Sequence, residues 1–453
     1  MDPSEGKTMG TLEPEPVSTG LRRIAKLAKE APDMVLVTLA HHMTFELLWE
    51  ANRRTRADGA PGVDGQTAQQ YERDLESNLR ILLERLKSGT YRAPPVRRVH
   101  IPKGDGKTRP LGIPTYEDKV AQRAALMILE AVYEQDFLSC SHGFRPGRSA
   151  HGALEQLWRG LMDMGGGYVI DADIQSFYDS MDHRQLRSFL DLRMRDGVLR
   201  RLIDKWLAAG VLEEGALQYP KTGTPQGGVI SPLLANIYLH EVLDKWFERE
   251  VKPRLHGPAF LVRYADDFVI VCSREDDARK VLEVLPKRLA RFGLTLHPDK
   301  TRLVPFHMPG RLQGPGQQEG PGTFDLLAFT HFWGRSQKGR WVVKRKTSKS
   351  RFTRALKRVA EWCRTNLHLP VPEQHHRLCQ KLRGHYAYFG ITGNSRALVR
   401  FRYEVGCTWR KWLDRRSQNA RMPWARFNRL LQRYPLPPAI TVHSVLRRSK
   451  AMA

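Results

Sequence analysis

The sequence predicts an α+β fold: a body mixing short strands with helices, followed by a helical, strongly basic C-terminal quarter. Three observations carry this. Short apolar runs at 167–174, 260–264 and 268–272 alternate with segments whose apolar residues recur at helical spacing. Past Trp341 the chain turns to basic helices, such as 349–367 and 373–389. The charge divides at the same place. Of 453 residues, 74 are Lys or Arg and 48 are Asp or Glu, a net of +26; residues 336–453 hold 28 of those bases and only 4 acids. A near-neutral body with a cationic tail end points to a polyanionic partner.

The elements follow in order. Residues 1–20 are rich in Pro, Gly, Glu and Thr without periodicity and read as a disordered leader. Residues 21–52 have helical spacing, and a turn-rich stretch at 54–65 follows, so 21–95 reads as an N-terminal extension. A helix at 67–86 carries the stripe Tyr71, Leu75, Leu79, Leu82, Leu83 and Leu86, and Gly89 ends it. A strand at 96–102 runs into the hairpin turn GDGKTRP at 104–110, then a helix at 116–137. Helices are expected at 183–195, 232–250 and 275–291. The Gly/Pro/Gln stretch 309–322 is a surface loop, and a domain boundary falls at about 335–345.

Several classes drop out. The five cysteines are scattered with no CxxC pair, so neither a disulfide scaffold nor a structural zinc module is expected, and a reducing cytoplasm fits. No apolar run approaches the ~18 residues of a membrane span, so no membrane partner is expected. The N-terminus has no apolar signal core.

The strongest chemical signal is RYADDF at 263–268, two adjacent aspartates at the corner between two apolar strands. Carboxylates held there need compensation, and oxygen-only ligands select Mg²⁺ or Mn²⁺. Taken alone, a solvated turn explains the corner as well. A second cluster lies in GYVIDADIQSFYDSMDH (167–183), where Asp171 and Asp173 alternate on one face of a strand end. One strand-end aspartate beside Asp266 and Asp267 would give an all-carboxylate site for two metal ions, the minimal equipment for in-line nucleotidyl transfer.

With these residues in view, the chain resembles the bacterial group II intron reverse transcriptase/maturase family. Blocks in the family's order are APGVDG (60–65), RRVHIPKGDGKTRPLGIP (97–114), SHGFRPGRSAH (141–151), DADIQSFYDSMDH (171–183) and GTPQGGVISPLLANIYL (223–239). RYADD (263–267), GLTLHPDKT (293–301), FDLLAFT (324–330) and LRGHYAYFGITGN (382–394) complete them. The resemblance implies a right-hand polymerase: fingers and palm at 96–335 with an antiparallel palm sheet, a helical thumb or maturase domain at 336–419, and a basic DNA-binding tail at 420–453. It implies Asp173, Asp266 and Asp267 as the metal-binding catalytic triad for two Mg²⁺ ions. Tyr178 takes the place of the bulky residue that excludes a ribose 2′-hydroxyl. Lys103 and Arg109 match the pair gripping the incoming triphosphate, Gln226 the residue packing on the nucleotide, and Lys300 a basic residue near the palm site. Read without the resemblance, Lys103, Arg109 and Gln226 fit ordinary loop polarity and Tyr178 a core aromatic.

In the basic quarter, Arg351, Arg354, Lys357 and Arg358 surround an apolar helical stripe, and Arg415 and Arg416 follow among aromatics. Such cations neutralise phosphates, although the aromatics themselves fit a helical core. No paired Cys and His residues of an HNH nuclease are found, so the resemblance is to the endonuclease-lacking type, primed from existing DNA ends or replication-fork strands. The function it implies is RNA-directed DNA synthesis by a protein that binds group II intron RNA, assists its splicing and copies it during retrohoming. Template RNA, primer or target DNA and dNTPs are the partners, the setting is the bacterial cytoplasm at the nucleoid, and the oligomeric state is left open. A related enzyme adapted to defence, CRISPR spacer acquisition or repair is the alternative.

Overall fold

The computed structural model describes residues 15–102, 108–213, 215–219, 223–224, 227–310, 322–416 and 422–444. The chain opens with α1 (Glu15–Glu30), α2 (Phe45–Arg54), α3 (Ala68–Tyr71) and α4 (Leu75–Ser88). α1 takes up residues 15–20 of the stretch expected to be a leader; residues 1–14 lie outside the described residues. The Thr44 hydroxyl accepts from Leu47 N at the start of α2, Thr67 and Gln70 form a reciprocal capping box on α3, and α4 ends on Gly89 at φ +79°. The segment expected as one helix at 67–86 is thus broken near Asp74.

Next come β1 (Val96–Pro102), β2 (Thr108–Ile113), α5 (Tyr116–Tyr133), α6 (Ala150–Met164) and β3 (Gly166–Ala172). Three helices, α7 (Phe177–Ser180), α8 (His183–Asp191) and α9 (Gly197–Leu207), lead to β4 (Val211–Glu213) and β5 (Ala216–Gln218). α10 (Ser231–Leu239) continues through wider, π-type turns at His240–Asp244 and Phe247–Val251. A period of 3.6 could not foresee those turns in what read as one helix to residue 250. The hairpin β6 (Ala259–Tyr264) and β7 (Asp267–Cys272) is followed by α11 (Glu275–Ala290) and β8 (Arg302–His307). β9 (Phe324–Leu326), β10 (Phe329–Arg335) and β11 (Trp341–Thr347) then precede α12 (Lys349–Thr365), α13 (Val371–Phe389), α14 (Ser395–Asp414) and α15 (Trp424–Arg433).

The central sheet has the order β6-β7-β3-β8, antiparallel throughout. Helices cover both of its faces. Phe268, Ile270 and Cys272 join the large core with α5, α10 and α11, whereas Val269 and Val271 point to a second core with Leu157 and Leu161 of α6, Phe306 and Trp333. That two-sided burial is why β7 reads as an unbroken apolar run rather than an alternation. A second sheet, β2-β1-β4-β5, carries the fingers-like hairpin, and β11-β10-β9 forms a third. The turn between β10 and β11 holds the charge boundary at 336, and the helical run begins at Lys349. α12 to α15 enclose their own core around Leu378, Leu382, Phe401, Trp409 and Phe427. Trp158 Nε1 of α6 donates to Val343 O of β11 (2.9 Å), and His151 Nε2 of α6 lies 2.8 Å from Tyr388 O of α13, so α6 holds both the third sheet and the helical unit.

Candidate active site

β3 and β7 bring the two acidic segments together. Their register pairs Asp171 with Val269 and Ala172 with Phe268, so the chain leaves β3 at Asp173 beside the point where Asp267 begins β7. Two further contacts fix that exit: His297 N donates to Asp173 O (2.8 Å) and Gln175 N to Thr295 O (2.8 Å). They also deliver Lys300, whose ammonium lies 2.5 Å from Asp173 Oδ2.

A cavity of about 440 Å³ opens here, lined by Asp171, Asp173, Asp267, Asp299 and Asp325 with Lys300, Arg302 and Arg351 as the cations. Arg302 Nε donates to Asp171 Oδ2 (3.1 Å), leaving Asp267 without an ion pair among the described residues. Asp267 keeps a solvent-facing edge, yet desolvation, then Asp266 and Asp173, push its carboxyl up to about 6. Burial and the charge of Asp173 also raise Asp266, against its own backbone N–H and the charges of Arg109 and Arg263. The carboxylates therefore share one field, but they stop short of a closed cage. Among the described residues, the one trio of acids, His or Cys with ligand atoms all within 4.8 Å is His256, Asp276 and Asp277; Asp173, Asp266 and Asp267 are spread wider, with Asp173 drawn onto Lys300. An oxygen-only donor set in mutual repulsion is nonetheless what a hard divalent cation fits.

Tyr178 lies on α7, partly buried; burial and then Asp266 push its hydroxyl up to about 12. The 223–224 segment docks on that helix, with Thr224 N donating to Tyr178 O (2.8 Å) and Gly223 N to Met181 O (2.8 Å). Gly227, at φ +116°, lies against β2: a Cβ there would sit 2.5 Å from Gly112 O. Arg109 is on β2, exposed, and its charge reaches both Asp266 and Tyr178. Lys103 and Gln226 lie outside the described residues.

Of the basic positions, Arg351 faces the acidic cavity, and Arg354 and Lys357 line a neighbouring groove of about 900 Å³ with Arg302, Lys346 and Lys349. Arg358 is exposed on the same helix. Arg415 and Arg416 are placed differently. Arg416 donates to Leu369 O, and Arg415 stacks over Trp412 at 5.2 Å, so both pack against their own helical unit.

One group escaped the sequence reading. Arg263, Asp244, Asn236, Ser141 and Gly143 gather behind the aspartate corner, all buried. The signal was present, because an arginine inside the apolar run FLVRY has to be buried with a partner.

This combination of an antiparallel palm-type sheet, an acidic corner and a flanking basic groove defines a nucleic-acid polymerase of α+β architecture. A model of the reverse transcriptase (RNA-dependent DNA polymerase) family matches residues 101–330. Protein YkfC of Escherichia coli K12 is 36% identical over 327 residues, covering 63% of this chain and 84% of that protein. The group II intron-encoded protein LtrA of Lactococcus lactis is 39% identical over 256 residues, 53% of this chain and 41% of LtrA. Nuclear intron maturase 2 of Arabidopsis thaliana is 28% identical over 259 residues, 47% and 33% of the two chains. The chain belongs to the reverse transcriptase family, in its group II intron-encoded reverse transcriptase/maturase branch, and is an RNA-directed DNA polymerase. No helix among the described residues is long and apolar enough to cross a membrane.

Proposed function

We propose that Asp173, Asp266 and Asp267 hold two Mg²⁺ ions and are the catalytic carboxylates of RNA-templated DNA synthesis. The observation that carries this is the β3–β7 register, which sets Asp173 at the exit of β3 beside Asp266 and Asp267, where desolvation first and the neighbouring acids next raise Asp267 to about 6. Bound divalent ions would supply activation of a primer hydroxyl and neutralisation of the leaving pyrophosphate. The chain's own groups do the rest. Arg109, together with Lys103, holds the triphosphate; Tyr178 and Gln226 bound the sugar and base; Lys300 exchanges Asp173 for the substrate's phosphates once that carboxylate is engaged.

The template and primer run along the groove of Arg354 and Lys357, with Arg351 at its acidic end and Arg358 beside it. Residues 96–335 act as fingers and palm, and 336–419 as thumb. Through its basic helical unit and the 420–453 segment the protein binds group II intron RNA, assists its splicing and copies it in retrohoming. The likeness to LtrA, a group II intron-encoded protein, supports that part. In the test, Asp266→Ala and Asp267→Ala abolish template-dependent dNTP incorporation while leaving the affinity for RNA unchanged. Wild-type incorporation by either variant rejects the reading.

A further inference from the structure

We propose that Arg263 and Asp244 are positioning residues for nucleotide addition, a buried pair that clamps the backbone of the aspartate corner from behind. This rests on the catalytic reading of Asp266 and Asp267 above.

Arg263 is fully buried and its five N–H donors meet five acceptors. Nε and Nη2 donate to the Asp244 carboxylate (2.8 and 2.6 Å), Nη1 to Asn236 Oδ1 and Ala265 O (3.0 Å each), and Nη2 to Ser141 Oγ (2.8 Å). Ala265 is the corner residue itself, held at φ +58°, a conformation side chains other than glycine rarely adopt. Its carbonyl is therefore gripped by a charge-assisted bond one residue before Asp266. The other side of the corner is packed equally closely. A Cβ on Gly143 would lie 2.3 Å from Ala265 N, and Gly143 O accepts from Asn236 Nδ2 (2.7 Å). Asp244, also fully buried, sits in the π-type turn His240–Asp244, a rare departure from α geometry that is frequent at functional sites.

An ion pair kept for stability alone would need only its partner, and apolar residues could replace both. This one spends two bonds on Asp244 and three on the corner and its supports. Lysine keeps the charge but has three donors from one point, so it cannot hold Asp244, Ala265, Asn236 and Ser141 together. A reacting constellation loosened by about 1 Å loses on the order of a hundredfold in rate.

The experiment compares full-length wild type with Arg263→Lys, the apolar pair Arg263→Met/Asp244→Leu, and Gly143→Ala, which crowds the corner without touching the ion pair. Melting temperature, primer–template affinity, single-turnover rate and Mg²⁺ half-saturation are measured on each. The expected result is a rate reduced about 10–100-fold and a Mg²⁺ half-saturation raised several-fold, at unchanged primer–template affinity. If the Arg263 variants do not fold, Gly143→Ala decides. Folded variants with wild-type rate and Mg²⁺ dependence overturn the proposal, as does a rate loss matched by an equal loss of primer–template affinity. Asp266→Ala and Asp267→Ala in parallel separate the two readings: if they are active the catalytic reading fails, and if they are dead beside unimpaired Arg263 variants only the clamp fails.

Discussion

Asp244 and Asp267 belong to opposite sides of one turn and live under opposite electrostatic rules. Burial alone would raise the Asp244 carboxyl, but the Arg263 guanidinium outweighs it and holds it below the usual carboxylate range. Asp267 has no such partner and is driven up to about 6 by desolvation and its acidic neighbours. The difference teaches where this fold puts its cations. It completes the pairing behind the corner and leaves the front short of positive charge, so the rear is stabilising scaffold and the front is binding capacity.

Deleting each acid in turn separates the two sides most strongly. Asp267→Ala is expected to lower dNTP incorporation by on the order of 10³-fold or more, with stability at or above wild type because a repelled carboxylate is gone. Asp244→Ala strands a buried guanidinium and is expected to cost about 3–5 kcal/mol in urea denaturation. Equal stability losses in the two variants would erase the distinction between front and rear.

A smaller effect tests the basic side. Arg354→Ala with Lys357→Ala should reduce the slope of log affinity against log salt by about 0.7–0.9 per lost phosphate contact, measured on primer–template. An unchanged slope would place the nucleic acid elsewhere.

A weaker effect concerns an acid on α5. Glu130 is raised to about 7 by burial, with Glu134 adding to the shift and Arg123 and Arg54 opposing it. A carboxyl whose folded pKa is raised binds its proton more readily in the native than in the unfolded chain. Its contribution therefore favours folding as pH falls through about 7 and opposes it above. Glu130→Gln should flatten the pH dependence of melting temperature between pH 8 and 5.5; an unaltered profile would show that Glu130 does not titrate there.

Much of the palm was legible because its strands are short, apolar and bounded by acids: the β6–β7 hairpin and β3 lie within a residue or two of their expected places. Local pattern also placed α12 and α13, expected at 349–367 and 373–389. The sheet of β9, β10 and β11 was not foreseen, because the inward positions of WVVKRKT are Val343, Arg345 and Thr347, so its buried face is not marked by apolar residues. The acidic pair was visible as a motif, but the clamp behind it was not. Arg263 finds its acceptors on segments near 141, 236 and 244, and nothing in the sequence states that proximity.

Ser348 and Ser350 line the acidic cavity at the very start of α12. The helix that carries Arg354 and Lys357 thus starts at the cavity and, farther along, buries Val359 and Cys363 in the core it shares with α13 and α14, so it tilts only together with them. Its 17 residues span about 25 Å, so a 10° tilt would displace the far end by roughly 4 Å while its first turn moved by less than about 1 Å.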